Sequence, residues 1–168
     1  MKKINFLLLT VLFIPGCIPG EETIDIEKEK EAIKAVIEAE SNAYYSRDME
    51  QQFSCFLQDE TTTIVVSGEE GLYDGWGKIS EAYQGFYEDS PEASNLKVEN
   101  KNYKIKVYRD CAWAVYDEYY VYANDSVRTG PREIRFLEKV DDEWKIVLLS
   151  LLSRENTGGE DTEEEAEP

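Results

Sequence analysis

The chain predicts one α+β domain, because helical spacing dominates its first half and from Asn95 onward gives way to four long segments that alternate apolar and polar residues. The alternating segments are separated by Arg109-Asp110, Asn124-Asp125 and Asp141-Asp142, residue pairs that favour turns. The 168 residues, 42% hydrophobic and 12% aromatic, suffice for one domain with a real core and hardly for two.

From Ile26 to Ser46, the residues Ile26, Ile33, Val36-Ile37, Glu40 and Tyr44 recur at three- and four-residue steps among Glu and Lys, which predicts a long amphipathic helix. Asp48 is placed to cap a second, shorter helix in which Met49, Phe53 and Phe56 share a face. Thr61 to Val66 is a β-branched run and reads as a strand. The glycine-rich stretch from Gly68 to Gly77 reads as a turn leading into a third helix, which carries Ile79, Ala82-Tyr83 and Phe86-Tyr87. Strands then follow at about 96–108, 111–123, 127–140 and 143–153, antiparallel in sequence. The strand at 111–123 has large residues on both faces, with Ala112, Ala114, Tyr116, Tyr120 and Tyr122 on one and Trp113, Val115, Tyr119 and Val121 on the other. One face can meet the helices, and the other needs a partner. The tail from Thr157 has almost no apolar content and is predicted to be disordered.

A net charge of -18 argues against nucleic-acid binding, which needs clustered Lys and Arg. The chain has no histidine, so the commonest metal ligand and the usual base near neutral pH are both missing. No metal and no cofactor is predicted, and any catalysis must rest on carboxylates, tyrosines or a thiol.

The N-terminus reads Lys2-Lys3, then an apolar run from Phe6 to Ile14, then Pro15-Gly16-Cys17, the order of a basic region, a hydrophobic region and a cleavage site. The run is shorter than the ~20 apolar residues that span a bilayer. Ile14-Pro15-Gly16-Cys17 resembles the lipobox of bacterial lipoproteins, in which the cysteine thiol is acylated and becomes the new N-terminus; Pro15 departs from the usual small or β-branched residue. The expected organisation is a signal segment at 1–17 ending in a lipidated Cys17, a tether at 18–25, the folded domain at 26–154 and an acidic tail at 155–168. Ile18 stands where an Asp would suggest inner-membrane retention, and Glu21-Glu22 is similar to acidic signals for surface display. These resemblances imply an exported, lipid-anchored protein of the outer membrane, at its periplasmic face or on the cell surface. Cys55 and Cys111 then sit in an oxidising compartment, either bonded to each other or as two free, buried thiols.

The order helix, helix, strand, helix, long antiparallel strands resembles the nuclear transport factor 2-like superfamily, which includes SnoaL-like and ketosteroid isomerase-like domains. The resemblance is carried by Ala43-Tyr44-Tyr45-Ser46-Arg47-Asp48, by Gly75-Trp76, by Cys111 to Asp117, and by Arg132 to Lys139 running into Trp144-Lys145-Ile146-Val147. It implies a cone-shaped pocket fold, with a long N-terminal helix and two shorter ones packed on a curved, mostly antiparallel sheet. It also implies dimerisation through the outer sheet face.

Laid against the isomerase pattern, the general-base Asp falls in Thr63-Ile64-Val65-Val66, where nothing ionises. The tyrosine donor falls near Glu40, with Tyr44 one turn away, and the hydrogen-bonding acid matches Glu133. Some relatives place a His near Ser150. The candidate catalytic residues are therefore Glu40, Tyr44 and Glu133, although Glu133 also reads as a structural partner of Arg135 on the same strand face. Rings distributed over the pocket elements give the candidate ligand-binding set of Tyr44, Phe56, Trp76, Tyr83 and Trp113, with Glu133 and Arg135 as polar members. The leading expectation is a non-catalytic, membrane-anchored domain that binds an apolar or ring-containing small molecule and forms a homodimer. The alternatives are an isomerase-, dehydratase- or hydrolase-like enzyme using Glu40 or Glu133 with Tyr44, and an envelope protein-interaction module acting through the outer sheet face.

Overall fold

The computed structural model describes residues 24–67, 71–94 and 96–154. Cys17, the tether up to residue 23 and the acidic tail from residue 155 lie outside the described residues. Among the described residues no helix is long and apolar enough to cross a membrane.

Helix α1 runs Ile26–Ser46. It starts where Asp25 accepts a hydrogen bond from the Lys28 N–H, and Glu27 and Glu29 in its first turn complement the positive end of the helix dipole. It stops at Arg47, whose left-handed backbone (φ 63°) turns its N–H back onto the last turn. Its buried stripe is Ile33, Ile37, Glu40, Ser41 and Ala43, so an acid stands among the apolar contacts. Helix α2, Met49–Ser54, starts at Asp48 as the sequence predicts. Its buried residue is Gln52, while Met49 is exposed, because Gln52 supplies hydrogen bonds that the interior needs. Helix α3, Trp76–Asp89, begins after Gly75, whose φ of 87° favours a residue without a side chain.

The sheet has six strands: β1 Thr63–Val66, β2 Gly71–Asp74, β3 Lys97–Val107, β4 Cys111–Val121, β5 Val127–Val140 and β6 Glu143–Leu152. Their order is β2-β1-β6-β5-β4-β3. The four long strands form the antiparallel meander that the alternation predicts, and β1 joins its edge parallel to β6. The segment after α2 prepares that pairing: the Ile146 N–H donates to the Cys55 carbonyl and the Leu57 N–H to the Ile146 carbonyl, at 2.9 and 3.0 Å. Strand β2 is a correction to the turn expected from Gly68 to Gly77. Leu72 and Tyr73 pair with β1, and the flanking glycines disguise so short an edge strand as a loop.

Helices α1 and α3 lie on the concave side of this curved, open sheet, over Val107, Ala112, Ala114, Tyr116, Leu137, Ile146 and Leu149. Helix α1 is held at both ends. Glu29 accepts from Lys139 Nζ and Trp144 Nε1 at 2.8 and 2.7 Å, and twenty-odd ångströms along the helix (~1.5 Å per residue) the Tyr45 hydroxyl reaches β4. Both Cys55 and Cys111 are free thiols; Cys55 is buried, but Cys111 begins β4 and is exposed.

Candidate functional site

A cavity of about 350 Å³ opens between α1, α3 and the concave face of the sheet. Ile64, Val66, Ile79, Ala82, Leu149 and Leu151 give it an apolar wall, and Tyr44, Tyr73, Tyr83 and Phe86 an aromatic one. Tyr44 and Phe86 stack with centroids 5.3 Å apart, and Tyr83 meets Tyr44 edge-on at 6.1 Å. The spacing Ile79, Ala82-Tyr83, Phe86 on α3 delivers one helix face to this wall.

Polar groups enter from two sides. On the first, Arg135 of β5 is 2% exposed. Its Nη2 donates to Glu40 Oε2 at 2.9 Å and forms an ion pair with Glu133 Oε2 at 2.8 Å. Gln52 Nε2 donates to Glu40 Oε1 at 3.1 Å, Tyr87 donates to Gln52 Oε1, and Tyr116 donates to Glu133 Oε2. Burial pushes the Glu133 carboxyl up, against the pull of the Arg135 guanidinium. For Arg135 itself, burial opposes the charge, but Glu133, Tyr116 and Glu40 outweigh it and raise its pKa. The remaining nitrogens, Nε and Nη1, are buried without a hydrogen-bond partner. An unmet buried donor of this kind costs about 1–3 kcal/mol.

On the second side, Glu118 of β4 is 3% exposed and lines the cavity. The Tyr45 hydroxyl donates to Glu118 Oε1 at 3.1 Å and lies 3.2 Å from the Tyr120 hydroxyl. Among the described residues Glu118 forms no ion pair. Burial, with the nearby charge of Glu133, pushes its carboxyl up to about 7. Gly130 of β5 makes room for this cluster, since a Cβ there would lie 3.0 Å from Tyr120 Cζ and 3.1 Å from the Glu118 carbonyl.

Of the residues singled out from sequence, Glu40, Tyr44, Tyr83, Glu133 and Arg135 meet in this one cavity. Phe56, Trp76 and Trp113 are not among its lining residues. Phe56, 2% exposed, packs in the core with its ring 5.8 Å from Trp76, and Trp76, the first residue of α3, meets Phe53 edge-on at 5.0 Å. Trp113 has the wrong parity: Ala112, Ala114 and Tyr116 face the helices, so Trp113 points from the opposite face of β4. Sequence reasoning missed Tyr45 and Glu118. The usable signal was that Glu118 is in phase with Ala112, Ala114, Tyr116 and Tyr120, an acid on the inward face of a strand. Among the described residues no group of three or more His, Cys, Asp and Glu is placed to hold a metal ion.

A curved, open sheet closed on its concave side by a long first helix, with a cavity between them, defines a pocket domain of the nuclear transport factor 2-like class. The chain belongs to the SnoaL-like domain family, which matches residues 33–151. Similar solved structures agree on the fold. An NTF2-like protein of unknown function from Pseudomonas putida is 12% identical over 80% of this chain and 92% of its own, with a TM-score of 0.63. An NTF-2 like protein of unknown function from Shewanella oneidensis is 19% identical over 74% and 99%, with a TM-score of 0.57. The association domain of C. elegans CaMKII is 19% identical over 76% and 97%, with a TM-score of 0.60. No curated protein matches the chain at a significant level.

Proposed function

We propose that the domain binds a small, ring-containing molecule in this cavity without transforming it, and that a lipidated Cys17 anchors it at the outer membrane. The observation that carries the binding reading is the cavity itself: an apolar and aromatic enclosure with the buried Arg135 guanidinium and three carboxylates in its lining. A ligand ring fits the Tyr44, Tyr83 and Phe86 wall. The engagement of Glu40 and Glu133 by the same Arg135 nitrogen supports binding over catalysis, as does the lack of an ionisable group in Thr63–Val66. A thermal-shift screen of ring-bearing metabolites should find stabilising compounds for the wild-type domain. Ala82→Trp, which fills the cavity from α3, should abolish the shifts while keeping a cooperative melt; equal shifts in this variant would place binding elsewhere. For the anchor, Cys17→Ser should move the protein from the membrane to the soluble fraction, and unchanged membrane association would remove the lipid from the proposal.

The outer sheet face supports a homodimer. Two apolar cross-strand pairs lie on it, Leu72 with Val65 across β2 and β1 and Phe136 with Trp113 across β5 and β4, with β6 between them and with Leu72 63% and Phe136 46% exposed. A fold neighbour is itself an association domain. Phe136→Glu should convert a dimer into a monomer in sedimentation, with ligand binding intact. A strict monomer for the wild-type domain at high concentration would contradict self-association and leave this face to another envelope protein.

A further inference from the structure

We propose that the ligand is an organic amine, bound as its ammonium ion between Glu118 and the hydroxyls of Tyr45 and Tyr120. This deepens the binding reading and rests on it. Three carboxylates, those of Glu40, Glu118 and Glu133, line the cavity against the single guanidinium of Arg135. Arg135 Nη2 is shared by Glu40 and Glu133, so the uncompensated acid is Glu118. An ammonium supplies three donors, and Glu118, Tyr45 and Tyr120 present oxygen acceptors around one end of the cavity. The rings of Tyr45 and Tyr120 stand at 64° to each other, 5.9 Å between centroids, and offer π faces as well. The aromatic wall is already suited to cations, since the Arg47 guanidinium lies 4.6 Å from the Phe86 centroid. An organic carboxylate would satisfy Arg135 but meet three acids, and the chain's net charge of -18 disfavours its approach.

Without a cation, Glu118 keeps a proton near neutrality. The groups that face it are Tyr45 from α1, Tyr120 on its own strand, and Glu133 and Arg135 from β5. Arg154, beyond β6, donates to its backbone carbonyl, and its register partner on β3 is the uncharged Asn100. The ammonium replaces that proton, which leaves to solvent. Amine affinity therefore rises with pH through the range in which Glu118 titrates, as long as the amine stays protonated.

The test is calorimetric titration of the folded domain with tyramine, para-ethylphenol and phloretate, which share a phenol ring and differ in carrying an ammonium, nothing or a carboxylate. Tyramine should bind at least about tenfold more tightly than para-ethylphenol at about pH 8, and that preference should shrink at about pH 5.5. Glu118→Gln should erase both the preference and its pH dependence while para-ethylphenol still binds. If Glu118→Gln fails to fold, the double variant Tyr45→Phe/Tyr120→Phe, which removes the other acceptors, should show the same loss of preference. Equal binding of tyramine and para-ethylphenol would overturn the amine assignment and leave the pocket reading standing. Tighter binding of phloretate would also overturn it, in favour of an anion at Arg135. Failure of all three to bind would overturn both readings together.

Discussion

Arg135→Met should lower the stability of the domain by about 3–5 kcal/mol, the range for removing one partner of a fully buried ion pair. The size follows from what stays behind. Glu40 and Glu133 are each 3% exposed, and with the guanidinium gone both carboxylates remain in the interior with no cation. Gln52 and Tyr116 still donate to them, but neutral donors do not repay the desolvation of two charges. The triple variant Glu40→Gln/Glu133→Gln/Arg135→Met removes the charges with the guanidinium and should recover much of the loss. Denaturant unfolding of both variants checks this. A cost below about 1 kcal/mol for the single variant would mean that the network is hydrated and not buried.

Domain stability should fall by on the order of 2–3 kcal/mol as pH rises from about 4.5 to about 7.5, and Glu118→Gln should flatten that slope. The sign follows from proton counting. Burial raises the folded-state pKa of Glu118 to about 7 from an ordinary value of 4.5, so between these values the folded protein holds a proton that the unfolded chain releases. Raising pH through this window therefore favours unfolding, and Glu133, also pushed up by burial, acts in the same direction. The opposite behaviour belongs to Glu29 and Asp117. Hydrogen bonds from Lys139 and Trp144 lower the first and one from Arg132 lowers the second, so their stabilisation is lost as pH falls below the ordinary carboxylate range. The stability maximum is thus expected in mildly acidic solution, and Glu118→Gln should be more stable than wild type at about pH 8. Stability that rises steadily from pH 5 to about 8 would contradict a buried, unpaired Glu118.

The scaffold was far more legible in sequence than the site. Helix α1 starts and ends where the spacing from Ile26 to Ser46 places it, and the turn pairs near residues 110, 124 and 141 mark the ends of the long strands within a residue or two. Such features are local, since capping, turn chemistry and alternation are written in neighbouring residues. Strand β2 escaped because its pairing with β1, not its own glycine-flanked sequence, makes it a strand. Of the face expected on α2, Phe53 and Phe56 pack inward and Met49 does not, while Gln52 is drawn inward by Glu40 and Tyr87, which lie 12 and 35 residues away in sequence.

The polar site depends on such distant partners throughout. Pairing of Glu133 with Arg135 was readable from their spacing on one strand, but the addition of Glu40 joins residues 95 positions apart. Tyr45 and Glu118, separated by 73 positions, meet because α1 ends beside β4, a consequence of topology that no local pattern announces. Aromatic content alone overcounted the site. Trp113 and Trp76 have the residue type of a pocket wall, whereas strand parity and helix position put them elsewhere.

Native mass spectrometry of the domain purified from its own cells addresses the occupied cavity most directly, with Ala82→Trp measured beside it. The expected result is a wild-type population carrying a small-molecule mass that Ala82→Trp lacks, with the released compound basic and ring-bearing. A wild-type domain that is mass-clean and gains no compound from a metabolite extract, while its melting matches that of Ala82→Trp with and without extract, would contradict a ligand-binding role for the cavity.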